Sequence, residues 1–381
     1  MNVAHCIHGL GLGGAQQIIK LIVRGRTGEQ FRHMVYSCED GMFRDEIEKA
    51  GATVRIISRR LPKLDPLWAI ALARAMRADG IDVVHTHLFG DSLHGYLAAR
   101  AASNLPVVMT LHIGAEGQTR LQRLGYRWLL QRCTRNIACT ESVRESWRAH
   151  SAAAIETIPN AIETPAASLV DMHRIAGIRQ GLGIDPTTTV IGAVGRLVEQ
   201  KGLDNLIRAF ADLARSGTTA VALVIVGDGP LRAELEGLAR SERVAERVKF
   251  AGLRSDIPQL LHAVDIVAFG SKFEGLPMAL LESMAAARCI VATDAPGILD
   301  AVTPGQEALI APRGDVSRLS AALREAVADP ALRQRLGDAA RRRFLRDFTA
   351  ERMVERYEAV YREVCGRRSA VPEVASRAAC S

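Results

Sequence analysis

The 381-residue chain is long enough for two domains, each with its own core. Its composition, 48% hydrophobic but only 4% aromatic, is that of an α/β protein, and no run of about 18 apolar residues offers a transmembrane helix. The amino terminus enters a strand pattern at once, with no basic leader, and seven cysteines without paired spacing predict reduced thiols; together these place the protein in the cytoplasm.

Strands alternate with helical stretches along the whole chain, which predicts parallel sheets. Residues 3–8 read as the first strand. They are followed by Gly9, Gly11, Gly13 and Gly14 and then by an apolar helix carrying Ile18, Ile19, Leu21 and Ile22. Gly9, Gly11 and Gly14 satisfy Gly-x-Gly-x-x-Gly, and Glu39 or Asp40 follows the next strand, so a dinucleotide fingerprint is one reading of this loop. The gap from Gly9 to Glu39 is longer than that fingerprint usually has. His85 and His87 end a later strand, where a packed side chain and a ligand-facing one are both open readings. His112 ends the strand of residues 107–112, at the carboxyl edge where open α/β sheets bind ligands.

Residues 1–180 hold 22 Lys+Arg against 16 Asp+Glu, whereas residues 181–381 hold 27 against 26, so nearly all the net charge of +7 lies in the first half. Two segments concentrate it: residues 59–63 with Trp68 nearby, and residues 120–132 with Tyr126 and Trp128. As a helix, the second places Arg120, Arg123 and Arg127 on one side, with Leu121, Leu124 and Trp128 beside them. Such a face suits an anionic bilayer, with its aromatic side chains at the interface, or an acidic acceptor; a core-packed helix with a solvated Arg edge is the alternative. No recognition motif accompanies the charge, so nucleic acid is not an expected partner. Glycines and prolines between residues 164 and 189 mark a domain boundary.

Beyond the boundary, the apolar strand of residues 190–195 runs into Arg196-Leu-Val-Glu-Gln-Lys201-Gly202 and then an amphipathic helix. Arg196 and Lys201 thus bracket a strand-to-helix loop, where two cations can converge on one diphosphate. Further on, a strand ending at Phe269 leads into Phe-Glu274-Gly275-Leu276-Pro277-Met278-Ala279-Leu-Leu-Glu282. Pro277 suits a helix start, and the free amides of Met278 and Ala279 at that terminus suit phosphate. Glu274 precedes the terminus and Glu282 lies about a turn and a half inside it, so the two carboxylates reach opposite ends of a phosphate-bearing ligand.

These two motifs resemble those of retaining glycosyltransferases of family 4, with the GT-B fold. Residues 158–163, 223–230 and 248–253 are similar to further family segments, and the resemblance spans about residues 1–365. It implies two Rossmann-like parallel-sheet domains facing across a deep cleft: an acceptor-side domain over 1–163, a donor domain over 164–348, a helix at 349–364 that crosses back to the first domain, and a loose tail over 365–381. It also implies that Glu282 holds the donor ribose, Glu274 contacts the sugar, His112 lines the cleft beside it, Arg196 and Lys201 hold the diphosphate, Gly252 lies where backbone meets the base, and the amides at Gly13 and Gly14 face the phosphate. Leu276, Met278 and Ala279 complete the donor-side set. Where the family commonly has Gly-Gly and Glu, this chain has Pro296-Gly297 and Asp300, so the sugar-side loop departs from the pattern.

The expected reaction is transfer of a sugar from a nucleoside diphosphate, UDP favoured, to a hydroxyl on a saccharide or lipid-linked acceptor, in polysaccharide or lipopolysaccharide synthesis at the inner membrane leaflet. No Asp-x-Asp occurs, so neither a metal nor another cofactor is expected. A nucleotide-sugar epimerase of related fold and an NAD-dependent enzyme using the loop of residues 9–14 are the rival readings.

Overall fold

The computed structural model describes residues 1–11, 13–25, 30–61, 65–165, 171–217 and 220–369. The chain divides into two compact units, one formed by Met1–Asn160 with the residues from Ala350 on, the other by Ala161–Thr349. The division falls three residues before the expected one, because Ile162 already bridges to Thr349 and donates its amide to Phe348 O at 3.3 Å.

The first unit holds strands β1 (Asn2–Gly9), β2 (Arg32–Glu39), β3 (Thr53–Ile56), β4 (Val83–Thr86), β5 (Val107–Leu111), β6 (Arg135–Ala138) and β7 (Glu156–Thr157). They form one parallel sheet in the order β3-β2-β1-β4-β5-β6-β7. The second unit holds β8 (Thr189–Val194), β9 (Val221–Val226), β10 (Val248–Gly252), β11 (Ile266–Phe269), β12 (Cys289–Thr293) and β13 (Ala308–Ala311), again all parallel, in the order β10-β9-β8-β11-β12-β13. Both orders run outward from the first strand in two directions, the doubly wound arrangement whose carboxyl-edge crevice lies where the order reverses. That point is β1/β4 in the first unit and β8/β11 in the second.

Helices cover both faces of such a sheet, so its strands are apolar throughout. Val221–Val226 is the clearest case, buried at every residue. In the second unit Val190, Val224, Val267 and Ile290 pack on one side, and Ile191, Leu223, Ile225 and Val291 on the other. The first sheet departs from this rule: His5, His85, His87 and Thr110 are fully buried within it.

The helix Ala350–Ser369 belongs to the first unit and continues five residues past its expected end, which corrects the expected start of the tail. Met353, Val354, Tyr357, Val360, Tyr361 and Val364 are buried at helical spacing, and the first proline comes only at Pro372. The rest of the expected tail lies outside the described residues.

Candidate functional site

At the switch point of the second unit, the loops after β8 and β11 are tied together. Lys272 N donates to Gln200 O at 2.8 Å, Gln200 Nε2 donates to Phe273 O at 3.0 Å, and Lys272 Nζ pairs with Glu199 Oε1 at 3.0 Å. Gly202 has φ of +56°, and a Cβ there would overlap the Gly270 carbonyl oxygen; this is the physical need for glycine after Lys201.

The joined loops place Lys201 directly on Glu274. Lys201 Nζ lies 2.6 Å from Glu274 Oε1, which also accepts from Ser271 Oγ at 2.7 Å, while Gln200 Nε2 reaches Oε2 at 3.2 Å. The Glu274 side chain is only 5% exposed, so this carboxylate is desolvated and held by three donors. Arg196 is exposed on the same loop and makes no side-chain hydrogen bond or ion pair among the described residues.

Leu276 is buried beside this loop, and Pro277 occupies the cap position of the helix Met278–Ala285. The first bond to Pro277 O comes from Leu280 N at 3.0 Å, which leaves the Met278 and Ala279 amides ahead of the ladder. Glu282, half-buried one turn further on, has no side-chain partner among the described residues, and burial pushes its pKa up. A carboxylate partly withdrawn from water and without a protein partner can take hydrogen bonds from a ligand hydroxyl at little further cost. Gly252, with φ of +67°, ends β10, and its carbonyl accepts from Gly227 N at 2.8 Å.

Sequence reasoning missed Ser271 and Gln200, the neutral donors that fix Glu274, and the reason for Gly297. A Cβ on Gly297 would overlap the Gly275 carbonyl oxygen, so the short helix Pro296–Leu299 after β12 braces the Glu274 loop through bare backbone. Thr293 Oγ1 adds a 2.6 Å bond to Ser271 O. Polar residues adjacent to Lys201 and Glu274 were the available signal.

In the first unit, Gly13 caps the helix Gly14–Arg24, and Gln16 Nε2 holds the preceding loop by a 2.7 Å bond to Gly9 O. Leu12 lies outside the described residues. Glu39 ends β2, where its Oε1 lies 3.3 Å from His8 Nε2. His112 follows β5, half-buried, with its Nε2 3.4 Å from His87 Nδ1; burial lowers its pKa to about 4, so the ring is neutral at pH 7. His85 and His87 are fully buried, as expected of packed side chains.

The basic segments divide. Trp68 and Tyr126, expected at an interface, are buried in the core of the first unit, where Trp68 packs from helix Pro66–Ala78 and Tyr126 against Phe89 and Trp147. On the helix Arg120–Leu130, by contrast, Leu121 is 77% exposed, Leu124 60% and Trp128 37%, beside exposed Arg120 and Arg127. Tyr126, Leu129 and Leu130 turn inward and Trp128 packs edge-on against Tyr96, so Leu121 and Leu124 are the most solvent-facing part of the expected apolar edge. Pro62 and Lys63 lie outside the described residues, and no helix among those described is long and apolar enough to cross a membrane.

Two family models match the chain: "Glycosyltransferase Family 4" over residues 12–165 and "Glycosyl transferases group 1" over 175–343. Among curated proteins, the alpha-D-kanosaminyltransferase of Streptomyces kanamyceticus is 24% identical, covering 91% of this chain and 99% of its own length. The UDP-Gal:alpha-D-GlcNAc-diphosphoundecaprenol alpha-1,3-galactosyltransferase of Escherichia coli is 27% identical over 74% of this chain and 76% of its own. Among solved structures, Anabaena Alr3699/HepE in complex with UDP and glucose superposes with a TM-score of 0.84 at 22% identity, covering 94% of this chain and 99% of that one, a likeness of fold. With family matches over both units and two Rossmann-like parallel sheets, the chain belongs to the family 4 type of glycosyltransferases, of the GT-B fold.

Proposed function

We propose that the protein transfers a hexosyl group, with retention of anomeric configuration, from a nucleoside diphosphate sugar to a hydroxyl of a saccharide or lipid-linked acceptor. UDP is the favoured nucleotide, a reading supported by the UDP complex of the Anabaena relative in fold. The observation that carries the proposal is the half-buried, unpaired Glu282 behind the free amides of Met278 and Ala279, one loop from Lys201. In this reading Glu282 accepts hydrogen bonds from the ribose hydroxyls and Gly252 lies beside the base.

The diphosphate is drawn by Lys201, Arg196 and the helix amides. As phosphate oxygens take over Lys201, Glu274 exchanges its cation for a hydrogen bond from a sugar hydroxyl, and His112 serves the sugar as a neutral imidazole. The acceptor oxygen bonds to the anomeric carbon on the face from which the diphosphate leaves. The bond to the phosphate oxygen breaks, and the hydroxyl proton passes to that oxygen. Fixed cations and amides stabilise the charge developing on the leaving group, so no metal is invoked.

The relative of known diphosphoundecaprenol acceptor and the exposed Leu121–Leu124–Trp128 edge with its arginines support a lipid-linked acceptor met at an anionic cytoplasmic leaflet. A thermal-shift screen of nucleotide sugars, followed by UDP release with and without acceptor, tests the function. A UDP-sugar should stabilise the protein, with UDP release rising on addition of acceptor. Conversion of the sugar without acceptor would establish the epimerase reading instead, and stabilisation by NAD alone would overturn the donor site.

A further inference from the structure

Four adjacent strands of the first sheet supply a row of histidines, with His8 on β1 and His85 on β4 lying off it: His33 on β2, His5 on β1, His87 after β4 and His112 after β5. The registers Val3↔His33, His5↔His85 and His85↔Val108 place each of them one strand over and two residues nearer the carboxyl edge than the one before. A step of two keeps all four on the same face. The row therefore crosses the sheet diagonally and ends at the residue assigned to the donor sugar.

Its contacts run head to tail. His33 Nδ1 lies 3.0 Å from His5 Nε2, His5 Nδ1 lies 3.4 Å from His87 Nε2, and His87 Nδ1 lies 3.4 Å from His112 Nε2. Burial keeps every ring neutral at pH 7. A neutral imidazole has one N–H and one lone pair, so each ring that donates forward must accept from behind. If neighbours took opposite tautomers, two N–H groups or two lone pairs would face each other in a buried site. The off-row His85 is held separately, by Tyr361 OH at 2.7 Å and Thr110 Oγ1 at 2.8 Å. The ring nitrogens of His5, His85 and His87 cluster as metal ligands do, but all six already face a partner in this network.

We propose that His33, His5, His87 and His112 act as one tautomeric unit, in which the other three rings are positioning residues that decide whether His112 offers its Nδ1 as donor or acceptor. The consequence for catalysis rests on the assignment of His112 to the sugar; the tautomeric coupling itself does not.

Long-range ¹⁵N–¹H correlation of the full-length protein labelled at histidine, assigned by single substitutions, reads each tautomer directly. All four rings should share one tautomer. His87→Phe should turn His112 into a mixture, whereas His85→Gln should leave it unchanged. Opposite tautomers in neighbouring wild-type rings, a result that needs no variant to fold, would overturn the proposal, as would an unchanged His112 in folded His87→Phe. In turnover assays His5→Phe, which does not touch His112, should lower kcat by up to about 10²-fold with donor KM unchanged. If His112→Ala turns over like wild type while the shared tautomer is observed, the site assignment fails and the coupling stands.

Discussion

The two sheets share a strand order and therefore a switch point, yet they furnish it with opposite chemistry. At β8/β11 the strands carry no charged residue and the charge sits beyond them, where Lys201 meets Glu274 in the loops and Glu282 stands unpaired in the following helix. At β1/β4 the loop after β1 is glycine-rich, and neutral imidazoles linked to one another lie within the strands and just beyond their ends. Topology fixes where a ligand can approach, and the side chains at the strand ends decide what kind of ligand it is. Ionised groups at the edge of one sheet suit a diphosphate, whereas neutral, tautomer-coupled rings suit an uncharged sugar hydroxyl.

The largest effect should come from removing charge at the second switch point. Lys201→Ala should lower kcat by roughly 10²–10³-fold in a steady-state assay, the scale for losing one preorganised stabiliser of a developing anion. Wild-type turnover in the folded variant would erase the distinction between the two sites. Gly297→Ala sharpens the comparison through backbone alone: its Cβ would overlap the Gly275 carbonyl, so denaturant unfolding should show a loss of about 1–3 kcal/mol, the usual cost of overpacking. Unchanged stability would mean that the brace on the Glu274 loop is soft.

A smaller effect concerns the first unit. Neutralising Arg120, Arg123 and Arg127 together should weaken co-sedimentation with phosphatidylglycerol vesicles at low salt, and salt alone should do the same to wild type, since screening acts within about 8–10 Å at moderate ionic strength. Donor affinity should not change, because none of the three arginines is among the residues assigned to the donor; absence of vesicle binding at low salt would favour a water-soluble acceptor. The smallest expected effect is none: EDTA should leave activity intact, and loss restored by Mn²⁺ or Mg²⁺ would contradict the role given to Arg196 and Lys201.

Much of this was legible in the sequence because the second unit is written in local signals. An apolar run, a loop with fixed cations, and a proline at a helix start each report on neighbours within ten residues, and they led to β8, β11 and the helix Met278–Ala285. The Lys201–Glu274 pair was not legible as a pair, since two loops 73 residues apart in sequence meet there through backbone contacts at Gly202 and Gly270. The histidine row was hidden for the same reason: His5 and His33 carry no motif, and only the registers of four strands bring them into line with His87 and His112. Trp68 and Tyr126 were misread because aromatic residues near arginines look alike whether they face lipid or core; tertiary packing decides.

Glu282 is the residue on which nucleotide binding at the donor site most directly depends. Burial raises its pKa, so the folded protein holds this proton more tightly than the unfolded chain, and the group's contribution to stability falls as pH rises through the folded pKa. Glu282→Gln should therefore leave the free protein at least as stable at pH 8 while removing the charged acceptor for ribose. Calorimetric titration of UDP into wild type and into Glu282→Gln at that pH is the direct measurement. The predicted result is a loss of affinity on the order of 10- to 100-fold, the worth of charge-assisted hydrogen bonds, in a variant whose melting temperature is not lowered. Equal affinity for UDP in the two folded proteins would contradict the placement of the nucleotide at this helix.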